Sequence, residues 1–205
     1  MTKFINFASN AAQTTQELQD QLNERAEKFA KDFAHADYEM GEAQNFVREL
    51  CGVYGLNYLR SVDFERRVAK ESGVGINRID GFFPGLLLVE MKSGGKDLQE
   101  AYAQAKGYIP KLKNLDDVPR YILVSDFQNL HLYDQTGINA PIKFKLADFK
   151  SHVNDLDFLL GYERIYQARQ AAASIEAANR LGSLHDAIKQ TGSRGQDLQT
   201  LLVRL

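Results

Sequence analysis

Between Arg78 and Lys96 the chain reads Arg-Ile-Asp-Gly-Phe-Phe-Pro-Gly-Leu-Leu-Leu-Val-Glu-Met-Lys-Ser-Gly-Gly-Lys, and this stretch limits what the rest can fold into. Two apolar runs of strand length, Arg78–Phe83 and Leu86–Lys92, flank the turn dipeptide Pro84-Gly85, the pattern of a β-hairpin. Leu86 to Val89 belong in a core, yet Glu90 and Lys92 follow at once. Side chains alternate along a strand, so Glu90 and Lys92 share one face and Met91 takes the other. Charges closing a buried strand are destabilising unless they are paired or hold a metal. The fold must therefore bring ionisable groups together at the end of a buried hairpin.

Whether Asp80 joins them depends on the turn. A two-residue Pro84-Gly85 loop would oppose Asp80 to Val89, and directly opposed residues share a face. Asp80 would then point away from Glu90 and Lys92. A three-residue loop, Pro84-Gly85-Leu86, or a β-bulge pairs Asp80 with Glu90 instead. The spacing favours one of these, with Gly85 at the positive φ that such a loop needs.

Two carboxylates and an ammonium so placed suit phosphodiester hydrolysis. A hard divalent cation takes oxygen ligands, which Asp80, Glu90 and the backbone carbonyl of Met91 offer. Mg²⁺ is the expected ion, with Mn²⁺ as a substitute. Lys92 is placed to orient or deprotonate a metal-bound water and to stabilise developing charge. In the helix expected over Asp97–Tyr108, Gln104 and Tyr108 lie four apart on one face, able to turn toward the carboxylates or toward DNA. The competing reading of the same residues is a buried Asp/Glu–Lys cluster without chemistry.

The remaining pattern reads as α/β. A polar helix is expected over residues 10–34, with Thr14 and Glu17 as a capping box. A second is expected over Glu39–Tyr54, stopped by Gly55. Short strands are expected at Val62–Val68, Arg120–Ser125, Leu130–Tyr133 and Ile142–Leu146. From Tyr162 the chain reads as an Ala-rich helix broken at Gly182 and at Thr191-Gly192-Ser193. The sum is a mixed sheet flanked by helices, with an N-terminal helix and a C-terminal helical extension. Domain boundaries fall at 1–38, 39–161 and 162–205. The apolar run Leu201–Leu205 carries no stop signal, so the chain reads as the N-terminal piece of a longer protein.

Composition narrows the function. No apolar run approaches the roughly 18 residues of a membrane helix, and the N-terminus is not a secretory signal. One cysteine, Cys51, excludes an internal disulfide, and with four scattered histidines it argues against a zinc site. The expected location is the reducing cytoplasm. Residues 51–113 hold 10 Lys and Arg against 7 Asp and Glu and are the basic third of a chain whose net charge is −2. That third suits contact with an anionic polymer. No P-loop, dinucleotide fingerprint or nucleophile elbow is present. Nor can the isolated prolines form the Pro-Pro loop of an amino-methyltransferase.

Asp80, Glu90-x-Lys92 and Gln104-x-x-x-Tyr108 together resemble the PD-(D/E)xK nuclease superfamily, in its version with a trailing QxxxY. The segments Gly41–Phe46, Ile79–Ser93, Asp97–Ala105, Pro119–Phe127 and Leu159–Tyr162 are similar, in the same order, to the N-terminal nuclease domain of MmeI-like (type IIL) restriction–modification enzymes. Position 79 is Ile where many superfamily members carry proline. The resemblance implies a restriction-endonuclease-like core that cuts double-stranded DNA with Mg²⁺. It implies catalytic roles for Asp80, Glu90 and Lys92, and supporting roles for Gln104 and Tyr108. Glu42 matches an acidic helix residue that often completes the metal site. It also implies a helical connector beginning near Tyr162. Downstream would lie a SAM-dependent adenine methyltransferase and a target-recognition domain, with SAM bound only there. Ser93, Lys96 and Lys106 are candidate DNA contacts, with Lys111 and Lys113 in the same patch, and His131 is read as structural. The resemblance leaves dimerisation on DNA open, and no membrane role is expected. DNA binding by the domain alone should be weak, salt-dependent and without sequence choice. A non-catalytic DNA-binding or interaction module of the same fold, or a repair nuclease of the superfamily, are the alternatives.

Overall fold

The apolar runs pair into two sheets. In the computed structural model, which describes residues 15–37, 39–69 and 76–190, β1 (Arg66–Ala69) and β2 (Ile76–Ile79) form an antiparallel ribbon. Five further strands, β3 (Gly81–Phe83), β4 (Leu87–Met91), β5 (Tyr121–Ser125), β6 (Asn129–Asp134) and β7 (Ile142–Lys145), form a mixed sheet in sequence order. β4 and β5 run parallel and the other neighbours antiparallel. A parallel pair needs a crossover rather than a tight turn, and the β4–β5 connection contains the helix Leu98–Lys106.

The helices, in chain order, are α1 (Thr15–Asp32), α2 (Glu39–Val53), the single turn α3 (Tyr58–Ser61), α4 (Leu98–Lys106) and α5 (Tyr162–Gln190), and α2 and α4 pack on the two faces of the sheet. All five residues of β4 are buried, which is why this strand is a continuous apolar run rather than an alternating one. Leu88 packs with Ile122, Val124 and Phe82 of the sheet and with Leu98, Ala101, Ala105 and Tyr108 from the α4 segment. On the other face Val47 of α2 lies against Gly81 and Val89. Beyond it Phe29 of α1 and Phe33, in the turn after α1, meet Phe46 of α2 at 4.8 and 5.0 Å between ring centroids.

Local signals set the helix ends. α2 ends in a Schellman motif: Leu56 N donates to Cys51 O at 2.9 Å, Gly55 N donates to Gly52 O at 3.2 Å, and Gly55 has φ +67°. Asp97 caps α4 by accepting from Gln99 N at 2.8 Å. α4 stops at Lys106 with Gly107 behind it, and Pro110 lies in a separate 3-10 turn, Ile109–Lys111.

Four expectations are corrected. The single strand Arg78–Phe83 is broken at Asp80, which forms a bend between β2 and β3 in different sheets. The strand expected at Val62–Val68 begins at Arg66, because Glu65 takes φ +55°; Asp63 makes only an isolated bridge to Phe82. Leu146–Leu159 is a 14-residue run of 3-10 turns, unassigned in the sequence, that buries Leu146, Phe149, Val153, Leu156 and Leu159. Gly182 does not interrupt α5, since one helical glycine costs only about 1 kcal/mol relative to alanine. The Thr14 cap, the break at Thr191–Ser193 and the run Leu201–Leu205 lie outside the described residues.

The chain divides into two compact units, Met1–Glu163 and Arg164–Leu205. α1 belongs to the first, with the sheet. In the second, α5 exposes Ile165, Ile175, Leu181 and Leu184. Among the described residues no helix is long and apolar enough to cross a membrane.

The close approach of α2 makes Gly81 sensitive. A Cβ there would lie 2.9 Å from Val47 Cγ1 and 3.1 Å from Cγ2, and a β-branched side chain at a helix–sheet contact cannot swing aside. Gly81→Ala should therefore destabilise the fold by about 1–3 kcal/mol through overpacking, measured by urea denaturation. Pairing it with Val47→Ala should recover part of the loss.

Candidate active site

The turn sets the register on which the site depends. Phe83 pairs with Leu87, Phe82 with Leu88 and Gly81 with Val89, so Pro84, Gly85 and Leu86 form a three-residue loop. Leu86 N donates to Phe83 O at 2.9 Å, and Gly85 has φ +73°. Proline followed by a positive-φ glycine is the signature of a type II turn. The ladder ends at Gly81 and Val89, with Asp80 in the bend just before it and Glu90 next along β4.

The side chains follow. Asp80 Oδ2 accepts from Met91 N at 2.8 Å, which fixes the bend against the end of β4. Glu90 is 2% exposed. Its Oε1 accepts from Lys92 Nζ at 2.7 Å and from Gln104 Nε2 at 2.6 Å. Gln104 also donates to the hydroxyl of the buried Tyr108. A buried carboxylate is tolerated when it receives charge-assisted and neutral hydrogen bonds together, and both are supplied here. α4 thus delivers Gln104 to the carboxylate, and Tyr108, just beyond the end of that helix, meets Gln104.

The other candidates are placed differently. Glu42 is half-buried in the first turn of α2. Among the described residues no three His, Cys, Asp or Glu side chains gather as a metal cluster, so Glu42 does not form one with Asp80 and Glu90. Ser93 is half-buried, Lys96 exposed, and Lys106 exposed with its ammonium 6.0 Å from the Tyr102 ring. Lys111 is half-buried and Lys113 exposed. His131 sits on β6 opposite Val124 and Lys143. Burial first, and the Lys143 charge second, hold its pKa below the usual histidine value.

Ser93-Gly94-Gly95 has the look of a phosphate cradle, but its amides are already used. Gly94 N donates to Asp37 O at 3.0 Å, Lys96 N to Ser93 O at 3.2 Å, and Gly95 N to Asp126 Oδ2 at 3.3 Å. Asp126 is 4% exposed. It is the residue that sequence reasoning missed, although Ser125-Asp-Phe-Gln-Asn129 between two strands is a turn composition. Its Oδ1 accepts from Asn129 N at 2.7 Å and Gln128 N at 3.1 Å, closing the β5–β6 turn. This turn holds Phe127 at φ +69° with its ring fully buried. One carboxylate therefore ties the turn to the loop that follows Lys92.

Asp126→Asn separates the two duties. The amide oxygen can keep the turn, while its NH₂ would face the Gly95 and Asn129 donors. The expected result is an intact fold about 1–2 kcal/mol less stable. In hydrogen exchange the Gly95 amide should lose protection while the β5–β6 turn amides keep theirs.

A protein-family model described as MmeI, N-terminal domain, matches residues 20–191. No curated protein and no solved structure matches the chain.

Proposed function

The chain belongs to the MmeI N-terminal domain family, related to type II restriction–modification enzymes, and from that premise we propose that it is a metal-dependent DNA endonuclease domain. The observation that carries the reading is the meeting of Lys92 and Gln104 on one oxygen of buried Glu90, with the Asp80 carboxylate held at the next residue of β4 by the Met91 amide.

The donor set suits a hard cation. Asp80 and Glu90 present carboxylate oxygens and Met91 a carbonyl, an all-oxygen donor set. Mg²⁺ commonly takes one or two carboxylates and fills its remaining positions with water and substrate phosphate, so two carboxylates suffice; Mn²⁺ fits the same ligands. When bound, such an ion neutralises phosphate charge and acidifies a water. The chain's own groups do the rest. Lys92 holds an ammonium beside the carboxylates, where it orients water or stabilises developing negative charge. Gln104 fixes the rotamer of Glu90, and Tyr108 fixes Gln104. The Asp80 hydrogen bond to Met91 N sets the reach of the second carboxylate.

The substrate is double-stranded DNA. In the proposed arrangement a SAM-dependent methyltransferase and a target-recognition domain of the same polypeptide supply sequence choice. Two strands and one site per chain make dimerisation on DNA the route to a double-strand break. The test is supercoiled plasmid with the protein and Mg²⁺. Nicked and linear products that vanish with EDTA support the proposal; intact plasmid at every protein and metal concentration overturns it.

A further inference from the structure

The β1–β2 ribbon carries a charge arrangement that its own stability does not explain. Arg67 and Arg78 are paired directly across it, and like charges directly opposed on an antiparallel pair repel. Alternation puts Val68 and Ile79 on the face that joins the core. Arg67 and Arg78 take the outward face, where Ile76 is 56% exposed. The Arg78 side chain is 61% exposed and donates to Glu65 at 2.7 Å. Among the described residues none gives Arg67 a hydrogen bond or an ion pair. One carboxylate thus faces two guanidiniums. Arg66, on the inner face, shows the contrast: it donates to Asp63 at 3.0 Å and Asp117 at 2.6 Å and lies over the Phe82 ring. That arginine is a structural staple, and the outward pair is surplus positive charge.

The surplus lies beside the site. Arg78 is two residues before the bend at Asp80, at most about 7 Å along the chain, and its ladder partner is about 5 Å further across. Duplex DNA presents a phosphate about every 3.4 Å of axis on each strand. A strand with one phosphate at Asp80 and Glu90 therefore has its neighbours within reach of these long side chains. Guanidinium groups bind phosphate through two parallel hydrogen bonds.

We infer that the outward face of the β1–β2 ribbon binds the DNA phosphate backbone flanking the cleavage site, through Arg67 and Arg78. The inference rests on the endonuclease reading above. The contact is sequence-independent and gives a use to an arginine placed opposite an arginine.

The experiment is fluorescence anisotropy of a short labelled duplex with the full chain across a salt series, with Ca²⁺ in place of Mg²⁺. Arg67→Thr should weaken binding several-fold at low salt and make the log–log salt slope shallower by about 0.9. Arg67→Thr with Arg78→Thr should remove about twice that. Arg67→Lys should keep the wild-type slope. Mn²⁺ binding should be unchanged throughout. The unfolding temperature of Arg67→Thr should be equal to or above wild type, because a repulsion is removed and threonine suits a strand. Wild-type affinity and slope in both threonine variants would overturn the ribbon contact alone. A wild-type chain that binds no duplex at any salt would overturn the endonuclease reading with it.

Discussion

Asp80→Asn should abolish plasmid cleavage and leave the fold nearly untouched. The asparagine oxygen can still accept from Met91 N, so the bend between β2 and β3 keeps its anchor. The lost element is the negative charge offered to a hard cation. Removing several kcal/mol of charge stabilisation corresponds to a fall on the order of a thousandfold or more in rate. Asp80→Ala should do the same and add about 1 kcal/mol of instability, because the Met91 amide loses its acceptor. Initial nicking rates and urea midpoints for both variants check this. Cleavage by Asp80→Asn within tenfold of wild type would contradict the role assigned to Asp80.

Lys92→Met should be equally inactive, for a different reason. The methionine keeps the aliphatic stem and removes the ammonium, so the two carboxylates remain while the group that orients water is gone. Metal binding should persist and turnover should not. The same change strips a charge partner from Glu90, which is 2% exposed. The Gln104 hydrogen bond remains, so the expected loss is about 1–3 kcal/mol, below the value for a fully stranded buried charge. Adding Glu90→Gln should return stability, because no unpaired charge is left, but not activity. A double-mutant cycle measures this coupling. Activity that recovers along with stability would mark Lys92 as a structural partner only.

The features legible in the sequence were those governed by short-range rules. Strand parity and the Pro84-Gly85 turn sufficed to give the three-residue loop that pairs Phe83 with Leu87, because a one-residue slip exchanges the faces and leaves two alternatives. Gly55 announced the end of α2, and the unbroken apolar run Leu86–Val89 announced a strand buried on both faces. The break at Asp80 was hidden, since apolar residues flank it and the demand for glycine at position 81 comes from Val47, distant in sequence. The 3-10 run Leu146–Leu159 was hidden because its apolar residues follow no single helical period, with non-helical backbone at Leu156. Within the candidate site, Gln104 and Tyr108 could be paired by helical spacing. Asp126 could not be tied to Gly95, because that link joins loops 31 residues apart. Glu42 was suggested by family resemblance rather than by its surroundings.

In the proposed mechanism Asp80 and Glu90 form one hard-cation site. Titration calorimetry with Mn²⁺ tests it most directly, on wild type, Asp80→Asn, Glu90→Gln and Lys92→Met. Saturable binding in wild type and Lys92→Met, absent from Asp80→Asn and Glu90→Gln, is the predicted result. Equal binding in all four proteins, or none in wild type, would contradict it.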